Sequence, residues 1–251
     1  MKRRYIYPTS LFLAFFAFIF GGDIIFGYIW FHPEPEEPEY IYLSPYVELS
    51  NYDHHFREAA DTLDYDWTLI AAIAFTESRF DSTAISGAGA KGVMQMMPKT
   101  MRGMDIPDSL HMDTRTNIMA ATQLIESLEH HYRYISDPDE RLNFVLAAYN
   151  AGFGHINDAM RLAHKYGKNK YRWKGNVDTF LIYKSLPEYF NDTLCRNGEF
   201  KDWKQTHSFV KKVRRKWKQF ARRQKEYSDS VNIIVANDTL IKLIPKRVTQ
   251  K

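Results

Sequence analysis

The strongest constraint on the fold is residues 67–80, which are apolar at helical spacing and carry a glutamate near their end. Asp66 precedes them and is a favourable N-cap, so the run predicts a helix. Ile70, Ile73 and Glu77 share one face of that helix. A carboxyl on an apolar face loses water, which raises its pKa and lets it hold a proton near neutral pH. The alternative is a structural glutamate that escapes the core in the last turn.

Two further motifs follow this glutamate and its neighbour Ser78. Residues 86–98 read Ser-Gly-Ala-Gly-Ala-Lys-Gly-Val-Met-Gln-Met-Met-Pro, and residues 147–152 read Ala-Ala-Tyr-Asn-Ala-Gly. The glycines of the first motif, at 87, 89 and 92, allow backbone conformations closed to other residues and a close approach by a bulky ligand. Pro98 is typical of the first residue of a helix, and Gly152 of the residue after a helix end.

These ordered motifs resemble the catalytic domain of soluble-type lytic transglycosylases, lysozyme-like enzymes that cut the glycan strands of bacterial peptidoglycan. The resemblance covers about residues 52–216. It implies that Glu77 is the catalytic acid and base. It also implies a substrate cleft, for which we expect these lining and positioning residues: Ser78, Ser86, Met94, Gln95, Tyr149 and Asn150.

The residue types alone leave simpler alternatives open at these positions. Residues 86–98 could be a plain turn between two helices. Methionines at the spacing of Met94, Met96 and Met97 are usually core residues, and we expect a ligand contact only for Met94. Tyr149 could be a core residue whose hydroxyl is satisfied within the protein. Gln95 can both donate and accept, which suits a sugar amide or hydroxyl.

The resemblance implies a reaction that uses one carboxylic acid. Glu77 would protonate the glycosidic oxygen between N-acetylmuramic acid and N-acetylglucosamine and then take the proton of the muramoyl C6 hydroxyl, giving a 1,6-anhydro product. A hydrolytic glycosidase usually needs a carboxylate pair. One rival is therefore a hydrolase of the same fold with Asp81, Asp105 or Asp113 as the second carboxylate. The other rival is a non-enzymatic, membrane-anchored wall-binding or scaffold protein.

Composition is consistent with one globular domain. The chain has 251 residues, of which 45% are hydrophobic, so it can bury a substantial core. Cys195 is the sole cysteine, which excludes an internal disulfide and any CxxC motif. No group of His, Cys, Asp or Glu has metal-ligand spacing, so we expect neither a metal nor another cofactor. The sequence does not indicate an oligomeric state.

The N-terminus predicts export. Residues 2–4 are Lys-Arg-Arg and precede an apolar stretch at 5–31 that Asp23 interrupts. A cleaved secretory signal and a membrane anchor both fit this pattern, since a span takes about 20 residues. No Ala-x-Ala cleavage pattern follows, so we favour an anchor within residues 10–31. Either way we expect the domain at the periplasmic face of a bacterial envelope membrane, with peptidoglycan and not nucleic acid as its partner.

Helical patterns dominate the rest of the chain, so we expect an all-α, lysozyme-like fold. We divide the chain into a signal or anchor (1–31), a Pro/Glu-rich linker (32–51), the catalytic domain (52–216) and a basic helix end with a tail (217–251). Within the linker, residues 32–39 predict an extended spacer or a tail without function. In the tail, residues 231–235 and 240–244 predict a small β-hairpin.

Two regions near the C-terminus refine the resemblance. Residues 187–192 look like an insertion in membrane-bound members of the lytic transglycosylase F type, here without their solute-binding domain. At Gln205 and Phe209 the family usually carries glutamate and tyrosine, so a hydrogen-bonding role at Phe209 is lost. Residues 211–225 predict a basic amphipathic helix, which could bind anionic lipid or wall polymer or could be a solvated surface.

Overall fold

The computed structural model describes residues 40–63, 65–238 and 240–243. The expected membrane segment at 10–31 and the spacer at 32–39 lie outside these residues. Within the described part of the chain, no helix combines the length and apolarity that crossing a bilayer requires.

The expected all-α architecture is confirmed for the described residues, with a single two-stranded sheet beside the helices. The helices are α1 (Asp53–Leu63), α2 (Trp67–Ser78), α3 (Pro98–Arg102), α4 (Thr114–His131), α5 (Pro138–Ala151), α6 (Phe153–Lys165), α7 (Asp178–Tyr183), α8 (Pro187–Phe190) and α9 (Trp203–Asn237). The strands are β1 (Ile41–Leu43) and β2 (Ile241–Leu243). Short helical turns occur at Asp108–Leu110 and Trp173–Val177.

Helix α2 lies at the centre of the core. Its first eight residues are all buried, so the helix is enclosed on every side rather than on the single face that the sequence predicts. The reason is that α1 and α9 both pack against it. Asp66 is confirmed as its N-cap and accepts from the backbone N–H of Thr68 at 2.9 Å. The second carboxylate oxygen of Asp66 accepts from the indole N–H of Trp217 in α9 at 2.6 Å.

Local signals set the ends of the neighbouring helices. Pro98 begins α3 and Gly152 ends α5 with a φ of 83°, as the sequence predicts. Asp113 caps α4 by accepting from the backbone N–H of Thr116 at 2.8 Å. These helices bring their apolar faces to one core, which also takes in Tyr46 from the segment before α1. Part of the expected linker, 32–51, therefore packs on the domain.

A buried polar cluster anchors the segment after α7. The ammonium of Lys184 donates to Asp158 at 2.5 Å and lies 3.0 Å from Nδ1 of His155. Lys184 and Asp158 are both completely buried. Asp158 also accepts from the backbone N–H groups of Arg196 and Asn197 at 3.0 and 2.9 Å. One carboxylate of α6 thus fixes both ends of the segment 184–197, which contains α8.

The predicted C-terminal hairpin is wrong. Helix α9 continues through residues 231–235 to Asn237, and β2 pairs in parallel with β1 instead, with Ile41 opposite Ile241. Extending an existing helix is easier than nucleating a new element, and Val231 is buried at 4% exposure on the inward face of α9. The same helix passes the expected domain boundary at residue 217 without interruption.

Candidate active site

Glu77 lies in the last turn of α2, where its side chain is partly exposed. Burial raises the pKa of its carboxyl from 4.5 to about 8, and the shift has no contribution from a neighbouring charge within the described residues. The rise agrees with the expectation from the apolar face. A carboxyl with this pKa is largely protonated at neutral pH, so it can donate a proton.

An unusual backbone reversal stops α2 immediately after Glu77 and Ser78. Arg79 and Phe80 adopt φ values of 58° and 68°, in the left-handed region that favours glycine. Such conformations cost roughly 1–2 kcal/mol per residue and persist only where surrounding contacts hold them. Here the Phe80 ring stacks on Phe220 of α9 with centroids 6.3 Å apart. The end of α2, and with it Glu77, is therefore held by packing against α9.

The segment after this reversal is an ordered loop rather than a plain turn. Lys91 makes isolated antiparallel bridges with Ile85 on one side and with Met96 on the other. The hydroxyl of Ser86 accepts from the backbone N–H of Ala90 at 2.9 Å, which closes the tip of the loop. Residues 84–96 thus have a fixed conformation, and in it the Ser86 hydroxyl is engaged by the loop itself.

Asn117 of α4 holds this loop, although the sequence reasoning did not select it. Its Oδ1 accepts from the backbone N–H of Met94 at 2.9 Å, and its Nδ2 donates to the carbonyls of Lys91 and His111 at 3.0 and 3.1 Å. Asn117 is fully buried. The available signal was a polar residue on the apolar face of a predicted helix, since such a residue needs partners inside the protein.

Gly92 is required at the point of closest approach to Asn117. Its φ is 75°, and a Cβ at this position would lie 2.8 Å from the Asn117 side chain. Gly87 differs, because its φ is not positive and a Cβ there would meet open space. The predicted need for glycine therefore holds at Gly92 but not at Gly87.

Ser78 and Gln95 join the loop to its surroundings. The Ser78 hydroxyl donates to the carbonyl of Val93 at 2.8 Å, so the residue beside Glu77 fastens α2 to the loop. Gln95 has a φ of 50°, and its Nε2 donates to the carbonyls of Ala84 and Gly92 at 3.1 and 2.9 Å. In this arrangement the amide N–H groups of Gln95 brace the loop, and its Oε1 is the atom that can accept from a ligand.

Met94 does not fit the expected ligand contact. Its side chain is completely buried in the core, so it has no surface to offer a sugar. The backbone of Met94 carries the functional connection instead, because its carbonyl accepts from the Tyr149 hydroxyl at 2.8 Å. Met96 is also buried, whereas Met97 is exposed.

Tyr149 and Asn150 lie at the end of α5 and are supported by α9. The Tyr149 ring stacks on Phe209, with centroids 6.2 Å apart and the planes 7° from parallel. The hydroxyl of Thr206 donates to Oδ1 of Asn150 at 2.9 Å. Burial raises the pKa of Tyr149 well above its usual range, and the negative charge of Glu77 adds to that rise. This electrostatic effect indicates that Tyr149, in the second motif, lies near Glu77.

The three aspartates considered as a second carboxylate are all exposed. Asp81 accepts from the hydroxyl of Thr83 at 2.7 Å, a bond that lowers the pKa of Asp81. Asp113 is engaged in capping α4, and Asp105 occupies a left-handed turn with a φ of 59°. Among the acidic residues that the structure describes, Glu77 is thus the one whose carboxyl is suited to donating a proton. No cluster of metal-ligand side chains occurs among the residues described.

A groove in the described residues lies elsewhere. It has a volume of about 830 Å³ and is lined by residues 44–54 in part, by Arg57 and by Tyr227. Glu77 is not among its lining residues. We therefore place the candidate active site at Glu77, on chemistry rather than on the size of a depression.

Comparisons with known proteins identify the proteins that this chain resembles. Residues 54–172 match the family described as Transglycosylase SLT domain. The membrane-bound lytic murein transglycosylase F of Desulfosudis oleivorans is 36% identical over 148 residues, which are 59% of this chain and 32% of that protein. The protein of the same name from Thiobacillus denitrificans is 31% identical over 196 residues, 76% of this chain and 40% of that protein.

The chain spans about a third of the length of the curated relatives it matches. Among solved structures, the lytic transglycosylase Slt from Pseudomonas aeruginosa is similar at 20% identity with a TM-score of 0.47. That match covers 70% of this chain and 24% of the Slt chain.

Proposed function

The chain carries a transglycosylase SLT domain related to that of membrane-bound lytic murein transglycosylase F, and we propose that it is a lytic transglycosylase acting on peptidoglycan. The observation that carries the proposal is the carboxyl of Glu77, whose pKa burial raises to about 8 beside the loop and Tyr149. The matched family supports the reaction class, and the raised pKa of Glu77 supports this residue as the acid. No cofactor is needed for the reaction that follows.

Glu77 acts first as the general acid. Its proton passes to the oxygen that links the C1 atom of N-acetylmuramic acid to the next N-acetylglucosamine, and the C1–O bond breaks. Charge develops at C1 as in other glycosidase transition states. The polar groups that this chain can bring to the sugars are Oε1 of Gln95 and the side chain of Asn150.

The resulting carboxylate of Glu77 acts next as the general base. It removes the proton of the muramoyl C6 hydroxyl while that oxygen bonds to C1, which closes the 1,6-anhydro ring and restores the acid. The proton count balances, and no water enters. The absence of a second suitable carboxyl among the described residues near Glu77 supports this route over hydrolysis, which needs a carboxylate pair.

Ser78, Ser86 and Tyr149 are positioning residues in this proposal. The hydroxyl of each forms a hydrogen bond within the protein: Ser78 with Val93, Ser86 with Ala90 and Tyr149 with Met94. They keep the loop and α5 in place around Glu77, so the acid and the sugar-facing groups keep their distances. Substrate contact through the Tyr149 ring is compatible with its partial exposure.

The proposed place of action is the periplasmic side of a bacterial envelope membrane, with residues 10–31 as the anchor. The curated relatives named above carry "membrane-bound" in their names, which supports an envelope location. Fractionation followed by N-terminal sequencing tests the anchor. A mature protein that starts after about residue 22 and is soluble would contradict the anchor and retain export.

Mass spectrometry of the muropeptides released from purified sacculi tests the reaction. We expect products one water lighter than those of a lysozyme and without a reducing end. Reducing-end products would contradict the transglycosylase reaction and support the hydrolase. An intact glycan with bound protein would support the scaffold instead.

A further inference from the structure

A row of cations covers the outer face of α9. Its members are Lys211, Arg215, Lys218, Arg222 and Lys225, here called the basic stripe, and all are exposed. Spacings of four and three residues keep them on one side of the helix, opposite the buried side chains of Val213 and Phe220. The stripe is roughly 21 Å long, from the rise of 1.5 Å per residue.

The basic stripe lacks the acidic partners that a solvated helix face usually has. Residues 211–225 contain nine Lys or Arg and no Asp or Glu. Within the described residues, the one acidic partner of the stripe is Glu226, which lies 3.5 Å from Arg222. Like charges three and four residues apart destabilise a helix, and solvated surfaces normally mix the two signs. An anionic partner would relieve this repulsion.

Two of the four other cations in this segment are engaged by the protein. Lys216 places its ammonium 4.1 Å from the ring centroid of Phe75, and Arg214 pairs with Asp139 at 2.8 Å. Arg214 and Lys216 thus have partners within the domain, whereas the stripe has only Glu226 beside Arg222 among the described residues. Val213 and Phe220 fix the helix to the core, so the row is presented rigidly and binding needs little ordering.

Exposed apolar side chains lie near the C-terminal end of α9. Ile233 follows Arg215 by eighteen residues, five full helical turns, so it lies on the same face, and it is 63% exposed. The adjoining β1 exposes Ile41 and Tyr42 at 58% and 56%. Cations followed by apolar and aromatic residues suit a bilayer surface, which offers anionic headgroups and an apolar interface.

We propose that the basic stripe binds the anionic phospholipid headgroups of the envelope membrane. The sequence favours this occupant, because only residues 32–40 separate β1 from the apolar stretch that ends at Phe31. Wall polymer is a less suitable partner. The glycan would bind at Glu77 of α2, and the stripe lies on the face of α9 that points away from α2 and Phe75. The proposal concerns orientation of the domain and does not rest on the proposed reaction.

Lysine acylation followed by mass spectrometry tests the proposal on the full chain. The protein is placed in nanodiscs of phosphatidylcholine, with or without phosphatidylglycerol, so the N-terminal segment is treated alike in both. We expect phosphatidylglycerol to slow acylation of Lys211, Lys218 and Lys225 by about fivefold or more, and salt near 1 M to abolish the effect. Lys99 and Lys168, exposed elsewhere, serve as internal controls that should not change.

A variant that removes three charges of the stripe distinguishes binding by the stripe from the general attraction of a basic protein to an anionic membrane. In Arg215→Gln/Lys218→Gln/Arg222→Gln, the remaining Lys211 and Lys225 should lose their protection, whereas Lys99→Gln/Lys168→Gln should retain it. Circular dichroism checks that both variants are folded. Equal acylation with and without phosphatidylglycerol would overturn the proposal. So would protection that purified sacculi produce more strongly than lipid, because that result assigns the stripe to wall polymer.

Discussion

The hydroxyl of Tyr149 donates to the carbonyl of Met94 across 2.8 Å. The two residues are 55 positions apart in the chain, and their hydrogen bond joins the end of α5 to the loop that Ser78 fastens to α2. The bond is made by a hydroxyl whose pKa is raised by burial and by the charge of Glu77. Two separate sequence motifs therefore share one small region with Glu77, the proposed catalytic acid.

Tyr149→Phe removes this hydrogen bond and keeps the ring that stacks on Phe209. We expect a loss of about 0.5–1.5 kcal/mol in the free energy of unfolding. Muropeptide release should fall further than this loss of stability explains, because the loop is no longer held in a fixed position beside Glu77. The pH profile of the release should change as well. Tyr52→Phe is the matched control, since it removes a hydroxyl bonded to Ser82 at 3.0 Å. Equal activity of both variants would exclude a positioning role for Tyr149.

Glu77→Gln keeps the shape of the side chain and removes its titrating proton. Turnover should become nearly undetectable, since general acid–base groups contribute typically about 10²–10⁴-fold. Binding to sacculi should persist, because Gln95 and Asn150 are unchanged. Asp105→Asn is the control and should release muropeptides at the wild-type rate. Wild-type turnover by Glu77→Gln would contradict the assignment, and an unfolded variant would show that Glu77 is structural.

The pKa of Glu77 predicts the pH dependence of the rate. The reaction begins with protonated Glu77, so muropeptide release should decline as the pH rises through about 8. The decline should approach about tenfold per pH unit. A rate that instead rises through this range would mean that Glu77 starts the reaction as a carboxylate.

The same pKa predicts how stability changes with pH. Folding raises the pKa of Glu77 from 4.5 to about 8, so between these values the folded state holds a proton that the unfolded state has released. The stabilising contribution is full below about 4.5 and is lost as the pH rises through about 8. Glu77→Gln lacks this titration, so its unfolding free energy relative to wild type should increase over that window. A constant difference across the window would contradict the raised pKa.

Gly92→Ala and Gly87→Ala form a matched pair in one loop. At Gly92 the new Cβ would meet Asn117 at 2.8 Å on a backbone with a φ of 75°. We expect a loss of roughly 1–3 kcal/mol in unfolding free energy and a marked loss of activity. At Gly87 the Cβ meets open space, so stability should be unchanged or rise by about 0.4–1 kcal/mol. Thermal denaturation and muropeptide release check both, and equal effects would contradict the described loop.

Lys184→Met removes the buried ammonium partner of Asp158 and leaves the carboxylate with the partly exposed guanidinium of Arg161 as its remaining cationic partner among the described residues. We expect a loss of about 3–5 kcal/mol in unfolding free energy, measured by urea denaturation. Lys184→Met/Asp158→Asn should recover part of this loss, because it removes both charges. The single variant should retain activity in its folded fraction, as the cluster lies outside the Glu77 site. A double variant less stable than the single one would contradict the account that losing the buried Lys184–Asp158 pair destabilises the fold.

Helix positions could be predicted from the sequence because their signals are local. Asp66, Pro98 and Gly152 act on the turn next to them, and each does so in the structure. The hairpin at 231–235 was wrong because β-branched residues favour strands only where no helix is already in place. Its outcome depended on Val231 finding the inward face of α9, which is a tertiary contact.

The candidate site could be predicted as a set of motifs but not as a set of contacts. The raised pKa of Glu77 follows from its apolar neighbours, and the structure has the same direction. The left-handed pair at Arg79 and Phe80 has no glycine or asparagine to signal it, and packing against Phe220 sustains it. Asn117 was missed because its partners are backbone groups of a distant loop, which no sequence spacing specifies.

Asp66 divides its carboxylate between two helices, with one oxygen on the Thr68 N–H and the other on the Trp217 indole. This one side chain sets the register of α2 along α9. Because a helix rises 1.5 Å per residue, locking its first turn also fixes its last, roughly 16 Å further on. Glu77, the proposed catalytic acid, is therefore positioned from the opposite end of its own helix, and we expect a change at Asp66 to alter the proposed reaction by shifting the helix lengthwise.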